Sequence, residues 1–187
     1  AHENRQRHFH ECTWATLVIN SPDKFDSRIF IKSKSQKDFV LITNVEQNKF
    51  YDQLLQDTGF DKDSRVKFVG TVYDQELLKY IRENAFAYFH GHEVGGTNPS
   101  LLEALAATKL NLLLDVGFNH EVGEDGAIYW KKDELARIIE EVEGFDQATV
   151  ADLDFKSSQR ILSAFTWEKI VSDYEEMFTK WKFYIIL

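Results

Sequence analysis

Apolar runs of strand length alternate along this chain with amphipathic runs of helical length, and no other feature constrains its fold as much. Thr16–Asn20, Asp38–Thr43, Arg65–Gly70, Ala85–Phe89, Leu110–Leu114 and Ala127–Trp130 read as strands. Most are apolar at successive positions rather than at every second one. Such strands are buried on both faces, as in a parallel sheet covered by helices. The segments between them carry helix punctuation. Ser21-Pro22-Asp23 reads as a cap, a proline in the first turn and an acid, opening a helix that ends near Lys34. Asn44–Gly59 places Phe50, Leu54 and Leu55 at helical spacing and closes on a glycine. Asp74 caps Gln75–Glu83, with Leu77, Leu78 and Ile81 on one face. Asn98-Pro99 opens a helix to Thr108, and Lys131–Glu143 and roughly Phe165–Lys180 follow. The pattern predicts an α/β fold, a Rossmann-like doubly wound parallel sheet of about six strands. Residues 15–187 are expected to form one domain, with 1–14 unassigned.

Charge narrows the function. With 22 Lys+Arg against 31 Asp+Glu, the net charge of -9 argues against broad nucleic-acid binding, which needs a basic face. A nucleotide ligand stays open, because a helix N-terminus can hold phosphate locally. Cys12 is the single cysteine, so an internal disulfide is excluded and a reducing compartment fits. The N-terminus is polar, with no apolar signal core, and no apolar run reaches the length of a membrane span. The expected location is cytoplasmic, with peripheral attachment at the inner face of the plasma membrane as an option. The apolar tail Trp181–Leu187 suits either a membrane surface or a buried terminus.

In a doubly wound sheet, ligands bind beyond the carboxyl ends of the strands, at the point where strand order reverses. The loop after the fourth strand lies on that edge. It reads His90-Gly91-His92-Glu93-Val94-Gly95-Gly96-Thr97-Asn98-Pro99-Ser100-Leu101-Leu102-Glu103. Gly95 and Gly96 let the backbone turn tightly and approach a ligand. With Asn98 as cap, the N–H groups from Gly96 to Ser100 are expected to face a diphosphate, aided by the helix dipole. Glu103, about one turn further in, can accept hydrogen bonds from ribose hydroxyls, and Glu93 can reach the attached sugar. Taken alone, a glycine pair before a capped helix often makes only a turn, and both glutamates could be solvated. His90 and His92 are read as pointing to opposite sides of an extended loop, so a metal site with Glu93 is not expected.

The long motif resembles the signature of group-1, glycogen-synthase-like retaining glycosyltransferases of the two-domain GT-B fold. HGHEVGGTNPSLLEAL most resembles the rhamnosyltransferase branch of bacterial polysaccharide assembly. Val66–Val72, Leu112–Asn119 and Phe165–Glu168 support the likeness, which runs over about Phe30–Phe178. The resemblance implies half of a GT-B fold. It gives Glu93 the catalytic position at the donor sugar. Gly95, Gly96, Thr97 and Asn98 would contact sugar and diphosphate, Glu103 the ribose, and the Val72 main chain the base. Nine residues separate Glu93 from Glu103, a longer interval than is usual in the family. The family's Gly-Arg turn after the first strand is replaced by Ile19-Asn20-Ser21-Pro22-Asp23-Lys24, and its acceptor-binding N-terminal half has no counterpart here.

The expected activity is sugar transfer from a nucleotide diphosphate donor, dTDP-rhamnose first and UDP-sugars next, to a lipid-linked saccharide in polysaccharide biosynthesis. No cofactor or metal is expected. The chain alone is expected to bind nucleotide weakly and transfer little. Alternatives are a non-catalytic nucleotide-binding module, a GT-B sugar-nucleotide epimerase, or an interaction domain. Asn119, His120 and Glu121 follow the fifth strand and either line the site or cap a short helix. Lys49 is either solvated or near phosphate, and Lys109 is structural. Trp130 is expected in the core, and Trp167 is expected to pack a C-terminal helix onto the sheet.

Overall fold

The computed structural model describes residues 13–16, 33–42, 52, 55–56, 59–92, 96–131 and 133–182. These form a six-stranded sheet in the order β3-β2-β1-β4-β5-β6. The strands are β1 (Thr13–Thr16), β2 (Asp38–Leu41), β3 (Val66–Phe68), β4 (Ala87–His90), β5 (Asn111–Leu114) and β6 (Ile128–Trp130). Every pairing is parallel. Among the described residues the helices are α1 (Gln75–Asn84), α2 (Pro99–Ala107), α3 (Gly117–Gly123), α4 (Leu135–Glu143), α5 (Gln147–Ala164) and α6 (Trp167–Lys182). No helix of the described residues is long and apolar enough to cross a membrane.

The apolar runs explain the layers. Phe39, Leu41, Phe89, Leu112 and Leu114 pack on one face of the sheet against Ile139 and Val142 of α4. Phe39 and Phe89 meet edge to face, with ring centroids 5.8 Å apart. On the other face, Val40 packs against Leu78 and Ile81 of α1, while Tyr88 and Leu113 pack against Leu101 and Leu105 of α2. Trp130 is buried as expected, its indole N–H donating to the Leu112 carbonyl at 3.1 Å. Gly59 closes a helical segment as expected. Its φ is 60°, and its N–H donates to the Leu55 carbonyl at 2.8 Å.

Three expectations change. First, β1 begins at Thr13, ahead of the TLVIN run, pairing Trp14 with Phe39 and Ala87. Residues 17–20, most of the helix expected up to Lys34, and most of that at 44–59 lie outside the described residues. Second, α5 was not expected, because Ser157 interrupts its packed stripe of Val150, Leu153 and Ile161. Phe155 and Leu162 are exposed, while the buried residue of α5 is Ser157. The chain passes Gly126 so closely to α5 that a Cβ there would lie 2.6 Å from the Ser157 Cα and N. Arg160 fastens the same crossing. It donates to the Glu121 carbonyl at 2.6 Å and the Val122 carbonyl at 3.2 Å, and pairs with Glu124 at 3.1 Å. Third, Trp167 does not pack on the sheet. It is 79% exposed at the start of α6, followed by exposed Val171, Tyr174 and Phe178.

Gly126→Ala is expected to destabilise the protein by about 1–3 kcal/mol through overpacking against the α5 backbone. Gly117→Ala, where a Cβ meets nothing within 4 Å, should be neutral or slightly stabilising. Urea unfolding of both variants compares the two.

Candidate functional site

The chain leaves β1 toward β2 and β3 on one side, and later crosses to β4, β5 and β6 on the other. Connections therefore diverge between β1 and β4, opening a crevice beyond their carboxyl ends. The motif loop emerges there, directly from His90 at the end of β4. Its residues 93–95 lie outside the described residues, and with them Glu93 and Gly95, as do Lys24 and Lys49.

The loop delivers a capped helix. Asn98 has extended φ and ψ, and its Oδ1 accepts the Ser100 N–H at 2.9 Å, with Pro99 in the first turn. The cap alters the expected cradle. Pro99 has no N–H, and that of Ser100 is taken by Asn98, so Gly96, Thr97 and Asn98 are left to offer amides from that span. Gly96 and Thr97 are exposed. Gly96 has no positive φ, and a Cβ would meet nothing there, so this backbone by itself does not demand glycine. Across the crevice, Gly70 takes a left-handed φ of 74° after β3. The turn brings Val72 onto the core cluster of Val40, Ile42 and Leu78, so a ligand contact by Val72 falls to its main chain.

His90 and His92 do not point apart. Extended chain has a period of two, so positions i and i+2 share a face. Their rings stack with centroids 4.6 Å apart and an interplanar angle of 19°. His90 is fully buried, its Nδ1 3.3 Å from the Tyr88 hydroxyl and its Nε2 without a hydrogen-bond partner. Burial pushes its pKa down to about 3, helped by the neighbouring His92. The imidazole is therefore neutral at physiological pH. His92 Nε2 lies 3.5 Å from the Asn98 side-chain amide, linking the pair to the helix cap. Among the described residues, no three His, Cys, Asp or Glu side chains converge as metal ligands would.

Glu103 is half-exposed, and Oε2 lies 2.7 Å from Nη1 of Arg82, whose side chain is only 6% exposed. Arg82 was not singled out by sequence. The signal was available, because it shares the buried stripe of α1 with Leu78 and Ile81, where a charge is out of place. Tyr88 lies close to this pair. Burial raises its pKa, with Arg82 opposing and Glu103 adding to the shift. A polar file thus runs from Arg82 and Glu103 past Tyr88 and His90 to His92 and the α2 cap.

Asn119 lies inside α3 rather than at its cap, which is Val116. It is fully buried, and its Nδ2 donates to the Leu114 carbonyl at 2.8 Å, fixing the helix to the end of β5. His120 is exposed, 2.6 Å from Asp115 and stacked on Tyr129 at 3.7 Å.

No family model matches the chain. No curated protein matches it either. Solved structures do. HepE from Anabaena, in complex with UDP, matches with a TM-score of 0.76 and 17% identity, over 96% of this chain and 52% of its own. Sucrose-phosphate synthase from Thermosynechococcus elongatus matches at 0.73 and 17%, over 96% and 48%. A UDP-forming α,α-trehalose-phosphate synthase from Burkholderia vietnamiensis matches at 0.74 and 10%, over 100% and 47%. These neighbours are GT-B glycosyltransferases, and the chain spans about half the length of each. At such identities the likeness establishes the fold: a Rossmann-like domain of the kind that makes half of a GT-B enzyme.

The buried neutral His90 sets a pH dependence. Unfolded, it titrates near 6.5, and folded near 3, so between these values the unfolded chain binds more protons. Its contribution is complete above about pH 6.5 and is lost as pH falls toward 3. His90→Gln should show a smaller loss of stability between pH 7 and about pH 4.5 than the wild type, measured by urea unfolding at both.

Proposed function

We propose that this chain is the donor-binding half of a glycosyltransferase that moves a sugar from a nucleotide diphosphate donor to a saccharide acceptor. The observation that carries the reading is the placement of the motif loop. It opens α2 at the switch point of a sheet ordered β3-β2-β1-β4-β5-β6, in a domain that superimposes on a protein solved with UDP. HepE has also been solved with UDP-glucose.

The amides of Gly96, Thr97 and Asn98, backed by the dipole of α2, hold the diphosphate and stabilise it as it leaves. Glu103 accepts from the nucleoside sugar, from the single 3′-hydroxyl of the deoxyribose in dTDP and from both ribose hydroxyls in UDP, and the Val72 main chain flanks the base. Glu93 and Gly95, from the part of the loop outside the described residues, meet the donor sugar and diphosphate. Asn119 supports the end of β5. Catalysis is positioning plus electrostatic stabilisation of an oxocarbenium-like transition state. The finer reading rests on the HGHEVGGTNPSLLEAL motif. The sugar is rhamnose carried on dTDP, with UDP-sugars next, and the acceptor is a lipid-linked saccharide of polysaccharide assembly. The work takes place at the cytoplasmic face of the membrane. The chain spans about half the length of these neighbours, and on this reading it binds nucleotide by itself without appreciable transfer.

Calorimetric titration with dTDP, UDP, GDP and ADP tests the reading. dTDP or UDP should bind best, and no binding of any of the four would overturn it. Glu103→Ala is a poor probe, because it leaves the buried Arg82 unpaired. Glu103→Gln keeps a partner for Arg82 and removes the charge. It should weaken binding at least several-fold, since a hydrogen bond to a charged group contributes about 1.5–3 kcal/mol and a neutral one about 1.

A further inference from the structure

We propose that Arg82 is a positioning residue for nucleotide binding: its buried guanidinium holds one oxygen of Glu103, so that the other is presented in a fixed direction to the ribose hydroxyls. The inference rests on the donor-site reading above and adds a residue to it.

Arg82 sits in the last turn of α1, on the face turned to the sheet. Helical side chains lean toward the N-terminus of their helix, here toward the carboxyl edge of the sheet and the crevice. The main chain beneath it is fixed, the Arg82 carbonyl accepting the Thr108 hydroxyl at 3.0 Å at the far end of α2. Among the described residues, Glu103 is its one side-chain partner, while Nε and Nη2 are buried with none.

Stability does not explain such a group. A buried guanidinium with idle donors pays a desolvation cost that a well-packed apolar side chain would avoid. The pair is also asymmetric. Arg82 is enclosed, whereas the Glu103 side chain is 50% exposed. The arginine cannot follow the carboxylate outward, and the carboxylate cannot swing away without leaving a buried charge uncompensated. Glu103 is therefore tethered through one oxygen and open at the other. A free glutamate on a helix surface would lose rotamer freedom on binding a diol; a tethered one has lost it already.

The test is calorimetry on the 187-residue chain with UDP and with 2′,3′-dideoxy-UDP, which lacks both ribose hydroxyls. Wild type should prefer UDP. Arg82→Met should weaken UDP by about 2- to 10-fold, the cost of ordering one long side chain, and leave the dideoxy nucleotide unchanged. The effect should shrink in a Glu103→Gln background, where a neutral hydrogen bond replaces the ion pair that holds the side chain. Arg82→Lys, which keeps the charge but not the planar fork, should give a smaller loss of the same kind and serves if Arg82→Met melts below the assay temperature. Equal loss for both nucleotides would mean a merely structural arginine, and unchanged UDP binding would mean no role; either overturns the inference. A wild type that binds UDP without preference over the dideoxy form overturns it too. A wild type that binds no nucleotide at all removes the donor-site reading and this inference together.

Discussion

A strand with neighbours on both sides and helices on both faces has no main-chain polar group to offer until it ends. β4 is such a strand. All four of its residues are buried, and it lies between β1 and β5. Its carboxyl end is the first place where its chain can meet a ligand. The opposed winding around β1 leaves that end uncovered by any crossover. Everything at the candidate site follows: the loop after His90, the cap at Asn98, and the run of α2 back down the sheet past Tyr88.

The site's polar groups are set by the same enclosure. His90 is dry and therefore neutral, and it stacks on His92, whose nearness also disfavours a charge on His90. Tyr88 is held protonated beside it. The charges in this file are at Arg82 and Glu103, and only the carboxylate reaches solvent to any extent. The region beneath the loop is thus a pedestal of mostly neutral, stacked groups carrying one oriented anion.

How much of this could be read in the sequence depends on how each element buries its side chains. β2, β4, β5, α1 and α2 were legible because their apolar residues coincide with their buried faces, and Asp74 and Asn98 cap where their type predicts. The start of β1 was set late because the apolar TLVIN run outweighed Thr13–Ala15. α5 escaped notice because Ser157 breaks its inward stripe of Val150, Leu153 and Ile161, while Phe155 and Leu162 blur the pattern from the exposed side. The stacking of His90 on His92 was a matter of parity, available from the period of extended chain. The Arg82–Glu103 pair was half visible. A charge on an apolar stripe signals a partner, but only the adjacency of α1 and α2 names it.

Arg160 shows how far one side chain can reach across such a domain. It belongs to α5, yet it holds the last carbonyls of α3, pairs with Glu124 and lies over the ring of Phe165. α5 cannot peel away without uncapping α3, and α3 cannot loosen without disturbing Asn119 at the end of β5. Opening of α5 is therefore not a local event, and the lip of the crevice shares in the cooperativity of a segment remote in sequence.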